Sequence, residues 1–364
     1  MTPQTTLCVN RTNFDNLTSI HRQMEPLAAD HIRVRLTSFA LTANNVTYMV
    51  TGDLIGYWKF FNPHDYGIEG ENLGRMPVWG FAEITESHVS DLEVGTRIYG
   101  FFPVTDYFDI KPIKLNPHGF SDGADHRLPL HAIYNRYTRV DADPSFGGGF
   151  DDLQPILRPL FTTSFLIDDF LERENFFDAE QVLLLSGSSK TALGTAFCLA
   201  QKKGIKVTGL TSERNKKFVQ KTGFYDVVES YDNITDLNPD VKTVIVDMAG
   251  NGDVSKTVYE HFGEKIVYNC MVGKSHWDGG KPPKIVAGAP PVMFFAPDQA
   301  QRRLKDWGPD GFAQNLGARW VPFCRSAKNW MNIERHEGAD AFMSVYKALL
   351  AGDIPASAGQ LMRL

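Results

Sequence analysis

Residues 183–197 read LLLSGSSKTALGTAF. Three leucines end at Ser186-Gly187, a run of small polar residues follows, and an Ala/Leu/Gly pattern at helical spacing takes over. A strand buried on both faces reads as a short unbroken apolar run. A helix opening directly after it aims unsatisfied backbone N–H groups past the strand end, where they suit an anion. The stretch is therefore a strand, a phosphate-binding turn and a helix. The phosphate loop of nucleoside-triphosphate enzymes needs G-x-x-x-x-G-K-[ST]. Here Ser189 precedes Lys190 and no glycine stands where that loop begins, so the backbone cannot form the same nest. The dinucleotide fingerprint G-x-G-x-x-G is also broken and survives only as Gly187 and Gly194. Context argues for a dinucleotide turn nonetheless. Ser188, Ser189, Thr191 and Ala192 are small enough for close approach, and Lys190 adds a charge that glycine lacks. The alternative is a lysine on an exposed turn of a fold that binds nothing.

Outward from this turn the chain alternates. A helical pattern, ILRPLFTTSFLIDDFLE (156–172), leads into strand QVLLLS (181–186) and helix ALGTAFCLAQKKG (192–204). Strand KVTGLTS, helix RNKKFVQKTG, strand TVIVDM, a helix over 254–262 and strand KIVYNCMV follow. Short apolar strands alternating with helices predict βαβ units on a buried parallel sheet. Before residue 140 the rhythm differs: HIRVRLTSFALT (31–42), VWGFAEITES (78–87) and RIYGFFPVTDYFDI (97–110) read as strands between glycine turns. SFGGGFDD (145–152) reads as a flexible break. The fold class is thus α/β in two parts. A β-rich catalytic and substrate domain covers 1–148 and 292–364, and a doubly wound parallel-sheet dinucleotide-binding domain covers 149–291.

Composition sets bounds. The 364 residues are 43% hydrophobic and 22% charged with a net charge of −6, which suits a globular chain and offers no basic footprint for nucleic acid. No apolar run is long enough for a membrane span, and MTPQTTLCVNRTNF has no signal-like core. Cys8, Cys198, Cys270 and Cys324 form no CxxC pair, and no Cys/His cluster has zinc spacing. Cys198 and Cys270 lie in apolar stretches and read as buried thiols of a reducing, cytoplasmic setting. The triplet Asn45-Val46-Thr47 is then a chance match to a glycosylation site.

The end of the second nucleotide-domain strand bears on the cofactor. An NAD site places Asp or Glu there to accept from the ribose 2′-hydroxyl. This chain has GLTSERNKK: Thr211 and Ser212, then Arg214, Lys216 and Lys217, with Glu213 the one dissenting residue. Hydroxyls and cations suit a 2′-phosphate, so the pattern favours NADPH, with a basic helix surface as the alternative.

At this point the chain resembles the medium-chain dehydrogenase/reductase superfamily, in its zinc-free, quinone-reductase-like branch. ALTANNVTYMVTGD (40–53) is similar to that branch's early active-site segment, with Asn45 at its Asn position. VWGFAEITESHVSDLEVGTRIYGF resembles the signature of its GroES-like barrel, and LFTTSFLIDDFL the helix that lies against the nicotinamide. VIVDMAGN and YNCMVG resemble its fourth and fifth Rossmann strands. SSKTALGTAF, MPVWGF and the early segment are closer still to a family known only as a domain of unknown function. The resemblance implies a GroES-like catalytic domain, a Rossmann domain, and a monomer or homodimer. It implies that NADPH meets Thr162, Thr163, Ser188, Ser189, Lys190, Thr191, Thr211, Ser212, Arg214, Lys217, Tyr231, Met248, Ala249, Gly250 and Met271. The sequence departs from it at the turn, which is longer and lacks paired glycines. The catalytic-zinc Cys position holds Asn44-Asn45, and the four-Cys lobe is missing, so no metal is expected.

Without zinc, reducing an activated C=C or a ketone requires a hydrogen bond to the substrate oxygen and a proton source. Asn45, Tyr48, Tyr57 and Tyr107 are the candidates in the β-rich part, and Tyr48 follows Asn45 by nearly one helical turn. Each tyrosine has a competing reading as a core aromatic with a satisfied hydroxyl. Tyr134, Asn135 and Tyr137 have weaker claims, and GYWKFF (56–61) offers rings to roof an apolar substrate. Two other classes stay open: a lyase or hydratase on the same scaffold, and a non-catalytic NADPH-binding protein.

Overall fold

The computed structural model describes residues 2–146, 148–273 and 286–364. It divides into two units: one runs to Ile156 and resumes over Ile333–Leu364, and the other is Leu157–Asn332.

In chain order, the first unit contains β1 (Pro3–Asn10), β2 (Asn13–Gln23), β3 (Ile32–Leu41), α1 (Ala43–Val50), α2 (Gly52–Ile55) and β4 (Leu73–Gly74). It continues with β5 (Pro77–Ser87), β6 (Arg97–Pro103), β7 (Tyr107–Ile110), β8 (Pro112–Asn116), β9 (Gly119–Asp122) and β10 (Arg136–Arg139). Helix α3 (Leu153–Arg173) crosses into the second unit. That unit holds β11 (Gln181–Leu185), α4 (Lys190–Leu199), β12 (Lys206–Thr211), α5 (Glu213–Thr222) and β13 (Val227–Ser230). Then come β14 (Thr243–Asp247), α6 (Gly252–Phe262), β15 (Ile266–Met271), β16 (Pro291–Met293) and α7 (Ala296–Ala327). The tail is β17 (Asn332–Glu337), α8 (Ala339–Leu350) and β18 (Ala358–Arg363).

In the first unit, β2-β1-β4 form a small sheet, and nine strands form a larger one in the order β17-β18-β3-β5-β6-β10-β9-β8, with β7 also on β3. Alternating residues of β3, β5 and β6 bury Val34, Phe39, Val78, Ile84 and Phe101, and this aromatic-rich layer is the core. The stretch expected as one strand over 97–110 is interrupted: Thr105 Oγ1 donates to the carbonyls of Thr5 and Tyr107, and the Asp106 carboxylate accepts from Tyr107 N–H. The last strand returns to the middle of the sheet, pairing antiparallel with β3 (Gln360 opposite Leu41).

Among the described residues of the second unit, six strands form a parallel sheet in the order β13-β12-β11-β14-β15-β16. Counted from β11 this is 3-2-1-4-5-6, the doubly wound dinucleotide-binding order, whose reversal lies between β11 and β14. The five residues of β11 and of β14 are all buried, which explains their unbroken apolar runs.

Three sequence expectations differ from this architecture. The second break lies at 332/333 and not at 291/292, because α7 packs within the nucleotide unit. Arg303 bonds to Asp169 of α3 at 2.6 Å, and Phe323 stacks on Phe161 with ring centroids 4.6 Å apart. The first break lies at 156/157, inside α3, and not at 148/149; the glycine run that suggested it includes Gly147, which is outside the described residues. The third is the strand read over 97–110, which is divided into β6 and β7.

Candidate functional site

The turn after β11 is built without the usual glycines. Ser186 takes the left-handed conformation (φ 58°) that glycine adopts freely, a strain of about 1 kcal/mol or more for a side-chain-bearing residue. Tyr231 offsets it: the Ser186 N–H donates to Tyr231 Oη at 3.1 Å, and that hydroxyl donates to Ser186 Oγ at 3.4 Å. Gly187 N–H donates to the Leu210 carbonyl at 2.7 Å, and its own carbonyl accepts from Tyr225 Oη at 2.7 Å. Ser189 is the N-cap of α4, its hydroxyl oxygen accepting from Ala192 N–H. Gly194 lets α4 lie against α3, since a Cβ there would sit 2.6 Å from Ser164 Oγ. The Ser164 hydroxyl donates to the Thr191 carbonyl at 2.7 Å. The role of the third fingerprint glycine, close packing, is thus kept, while that of the first has passed to Ser186.

Lys190 opens α4 and is half-buried. Desolvation pulls its ammonium down to about 8. Ser188 accepts a 3.1 Å hydrogen bond from Asn215 in the first turn of α5. Asn215 links the turn after β11 to the start of α5, and sequence reasoning missed it because the link exists only once β11 and β12 are paired.

At the end of β12, Thr211 is buried and Ser212 caps α5, where Arg214 and Lys217 are exposed. Glu213 is also exposed. Lys216 is committed elsewhere: its ammonium lies 2.5 Å from Glu229, whose carboxylate also accepts from Ser230 N–H and Asn233. This holds Glu229 below the usual carboxylate range, the Lys216 hydrogen bond being the largest cause. At the end of β14, Asp247 turns its carboxylate onto the N–H groups of Ala249 and Gly250 at 3.0 and 2.9 Å. Met248 and Ala249 are buried in that turn, and Met271 ends β15 with its carbonyl bound to Phe294 N–H. Thr162 and Thr163 hydroxyls donate to the carbonyls of Arg158 and Pro159 one turn back along α3.

The donor set of this unit fits a phosphorylated dinucleotide. Ser188, Lys190, Thr191, Ser212, Arg214 and Lys217 supply hydroxyls and cations. The one carboxylate at the β14 end is satisfied by backbone donors.

In the β-rich unit, the Thr42 cap and α1 place Asn45 and Tyr48 on one buried helix face. Asn45 Oδ1 accepts from Thr42 N–H at 2.7 Å, and its Nδ2 donates to the Pro77 carbonyl at 2.8 Å, which anchors α1 on β5. Tyr48 lies among rings: Tyr57 at 4.6 Å, Phe101 at 5.4 Å and Tyr134 at 6.4 Å between centroids. Its hydroxyl oxygen accepts from Trp79 Nε1 at 3.0 Å. An indole N–H only donates, so the Tyr48 hydrogen remains available to another acceptor. Tyr57 and Tyr134 share a hydrogen bond between hydroxyls at 3.0 Å. Burial raises all three phenols above their ordinary value, outweighing the Trp79 and Asn44 hydrogen bonds at Tyr48. They therefore act as O–H donors and stay protonated at neutral pH.

Tyr107 does not join them. It sits in β7 opposite Arg35, with its carbonyl bound to Gln4 and Thr105. Tyr134 is held from behind by Arg127, which donates to its carbonyl at 2.7 Å, to Asp122 at 2.8 Å, to Tyr137 Oη at 2.9 Å and to Asn135 at 2.8 Å. Arg127 and Asp122 are fully enclosed. Among the described residues no group of three or more His, Cys, Asp or Glu is arranged to hold a metal ion, and no helix is long and apolar enough to cross a membrane.

The family model described as "Protein of unknown function (DUF2855)" matches residues 39–355. No curated protein matches the sequence. Among solved structures, the fold is similar to CurA from Vibrio vulnificus in complex with NADPH, at 13% identity and a TM-score of 0.62, covering 100% of this chain and 99% of that one. It is similar to the Etr1p/NADP/crotonyl-CoA complex, at 10% identity and a TM-score of 0.60 with 100% of each chain covered. It is also similar to the YhdH oxidoreductase from Salmonella enterica in complex with NADP, at 12% identity and a TM-score of 0.55 with 99% of each chain covered. At these identities the likeness is one of fold.

Proposed function

Since the chain belongs to the DUF2855 family and folds as medium-chain dehydrogenase/reductases do, we propose that it is an NADPH-dependent reductase. Its substrate is a small organic molecule with an activated C=C, as in an enone or quinone, or a ketone. The observation that carries this reading is the turn at the reversal point of a 3-2-1-4-5-6 sheet, beside a β12 end furnished with Ser212, Arg214 and Lys217. The similar folds described above were solved with NADPH and NADP, which agrees with it. Because function lives in sites and not in folds, the weight rests on the residues.

Bound NADPH supplies a hydride. Ser188, Lys190, Thr191 and the α4 N-terminus hold the pyrophosphate, and Ser212, Arg214 and Lys217 hold the 2′-phosphate. Thr211, Tyr231, Met248, Ala249, Gly250 and Met271 line the rest of the nucleotide, and Thr162 and Thr163 flank the nicotinamide. Tyr48 donates its hydroxyl hydrogen to the substrate oxygen and stabilises the charge that builds there. Tyr57, paired with Tyr134, is the nearest further source of a proton.

NADPH is expected to bind at least ~10-fold more tightly than NADH, since one charge-assisted contact contributes roughly 1.5–3 kcal/mol. Isothermal titration with both nucleotides checks this, and equal affinities would reject the 2′-phosphate assignment.

Lys190 makes the affinity pH-dependent. Its ammonium is charged below about 8 and loses its proton above, so NADPH binding should weaken as pH rises through that value. Lys190→Ala should bind less tightly and lose this dependence. A flat wild-type profile between pH 7 and 9.5 would show that Lys190 does not meet a phosphate.

Catalysis is proposed to need no zinc, since Asn44 and Asn45 offer no ligand of the usual kinds. Elemental analysis of the active protein after EDTA treatment should find no stoichiometric metal. If NADPH binds but no enone, quinone or ketone consumes it in a stopped-flow panel, the reductase reading fails.

A further inference from the structure

Arg75 follows β4 and is only 1% exposed. Its Nε donates to Thr6 Oγ1 at 3.2 Å, but Nη1 and Nη2 have no hydrogen-bond partner among the described residues. The guanidinium lies 4.8 Å from the ring centroid of Tyr66 and 5.8 Å from that of Phe108. Ring faces attract the cation through its flat side and leave the N–H groups in its plane unanswered. The titratable groups that act on it are Tyr66, Cys8 and Arg22, with no carboxylate among them. Arg22 makes matters worse, being a second cation whose bonds go to neutral oxygens, Gln4 Oε1 at 2.5 Å and the Tyr66 carbonyl.

Among the described residues no carboxylate pairs with either arginine. Burial raises the Cys8 thiol and the Tyr66 phenol, so both stay uncharged. Burial also pulls Arg75 down to about 10, which still leaves it a cation at neutral pH. Groups with this charge are enclosed only when paired, because desolvation is otherwise uncompensated. A water molecule would answer the two N–H groups but not the charge. A small anion does both.

We propose that Arg75, with Arg22 beside it, holds a small inorganic anion of the halide class inside the β-rich unit. It ties together Thr6 of β1, Arg22 of β2 and Phe108 of β7. The site is separate from the nucleotide-binding residues and stands whether or not the protein is a reductase.

The test is crystallographic and thermal. Crystals of the whole protein grown with bromide in place of chloride should show an anomalous peak within hydrogen-bonding reach of Arg75 Nη1 or Nη2. In solution, at fixed ionic strength, the melting temperature should rise as gluconate is replaced by chloride or bromide, because a ligand that binds only the native state stabilises it. Arg75→Met should abolish the halide dependence, and Arg75→Lys should weaken it. Ordered water alone beside Arg75, or a melting temperature indifferent to halide in the wild type, overturns the proposal. The wild-type measurements decide the matter even if the variants fail to fold.

Discussion

Tyr48→Phe is expected to lower turnover about 10²-fold, the usual loss when one positioned donor or acid is removed. NADPH affinity should stay within about twofold, because Tyr48 belongs to the unit that carries none of the residues proposed to hold the phosphates. The structure makes the substitution clean. The ring keeps its packing against Tyr57 and Phe101, and the bonds lost inside the protein are those with Trp79 Nε1 and Asn44. The rate should show no tyrosine titration between pH 6 and 10, since burial raises the phenol beyond that range. Stopped-flow loss of nicotinamide absorbance measures both quantities. Full activity in the variant would remove Tyr48 from the mechanism and leave the reaction class intact; Tyr57→Phe is then the next variant to read.

Arg127→Met should cost about 3–5 kcal/mol of folding stability, because it strands Asp122 as an unpaired charge in the interior. Four side-chain or carbonyl oxygens lose their donor at once: those of Asp122, Asn135, Tyr137 and Tyr134. Urea denaturation measures the loss. The double variant Arg127→Met with Asp122→Asn should recover part of it, since the stranded charge is then gone. A loss below about 1 kcal/mol would mean that water reaches Asp122 and that Tyr134 is held by packing alone.

The parallel sheet was legible because burial on both faces leaves an unbroken apolar run at β11 and β14, bounded by turn residues. The end of β12 was legible for a similar reason, since Thr211-Ser212 and the basic residues after it are local chemistry. What escaped depends on distant partners. Nothing near Asn45 announces that Pro77 will take its amide, and nothing near Lys216 announces Glu229. Tyr48, Tyr57, Tyr107 and Tyr134 look alike in the sequence, and only the folding of β6 and β10 separates the three that meet from the one that does not. Helix α7 was missed as a nucleotide-unit element because Gly308, Pro309 and Pro322 break its pattern, with Gly308 bending it at a φ of 71°. The conformation of Ser186 has no sequence signal, since a left-handed serine is chosen by its surroundings.

The pairing of β18 with β3 has a bearing on how the protein is made. The nucleotide unit is one continuous stretch and can close as soon as residue 332 has left the ribosome. The β-rich unit emerges first but lacks β18 until Ala358–Arg363 appears, so the Phe39–Leu41 end of β3 waits for its partner until after the nucleotide unit is complete. An unpaired, apolar strand edge is a template for pairing between nascent chains. The order of completion is therefore the reverse of the order of translation for most of the molecule. Truncation before Ala358 would leave a finished second unit attached to a sheet open at β3.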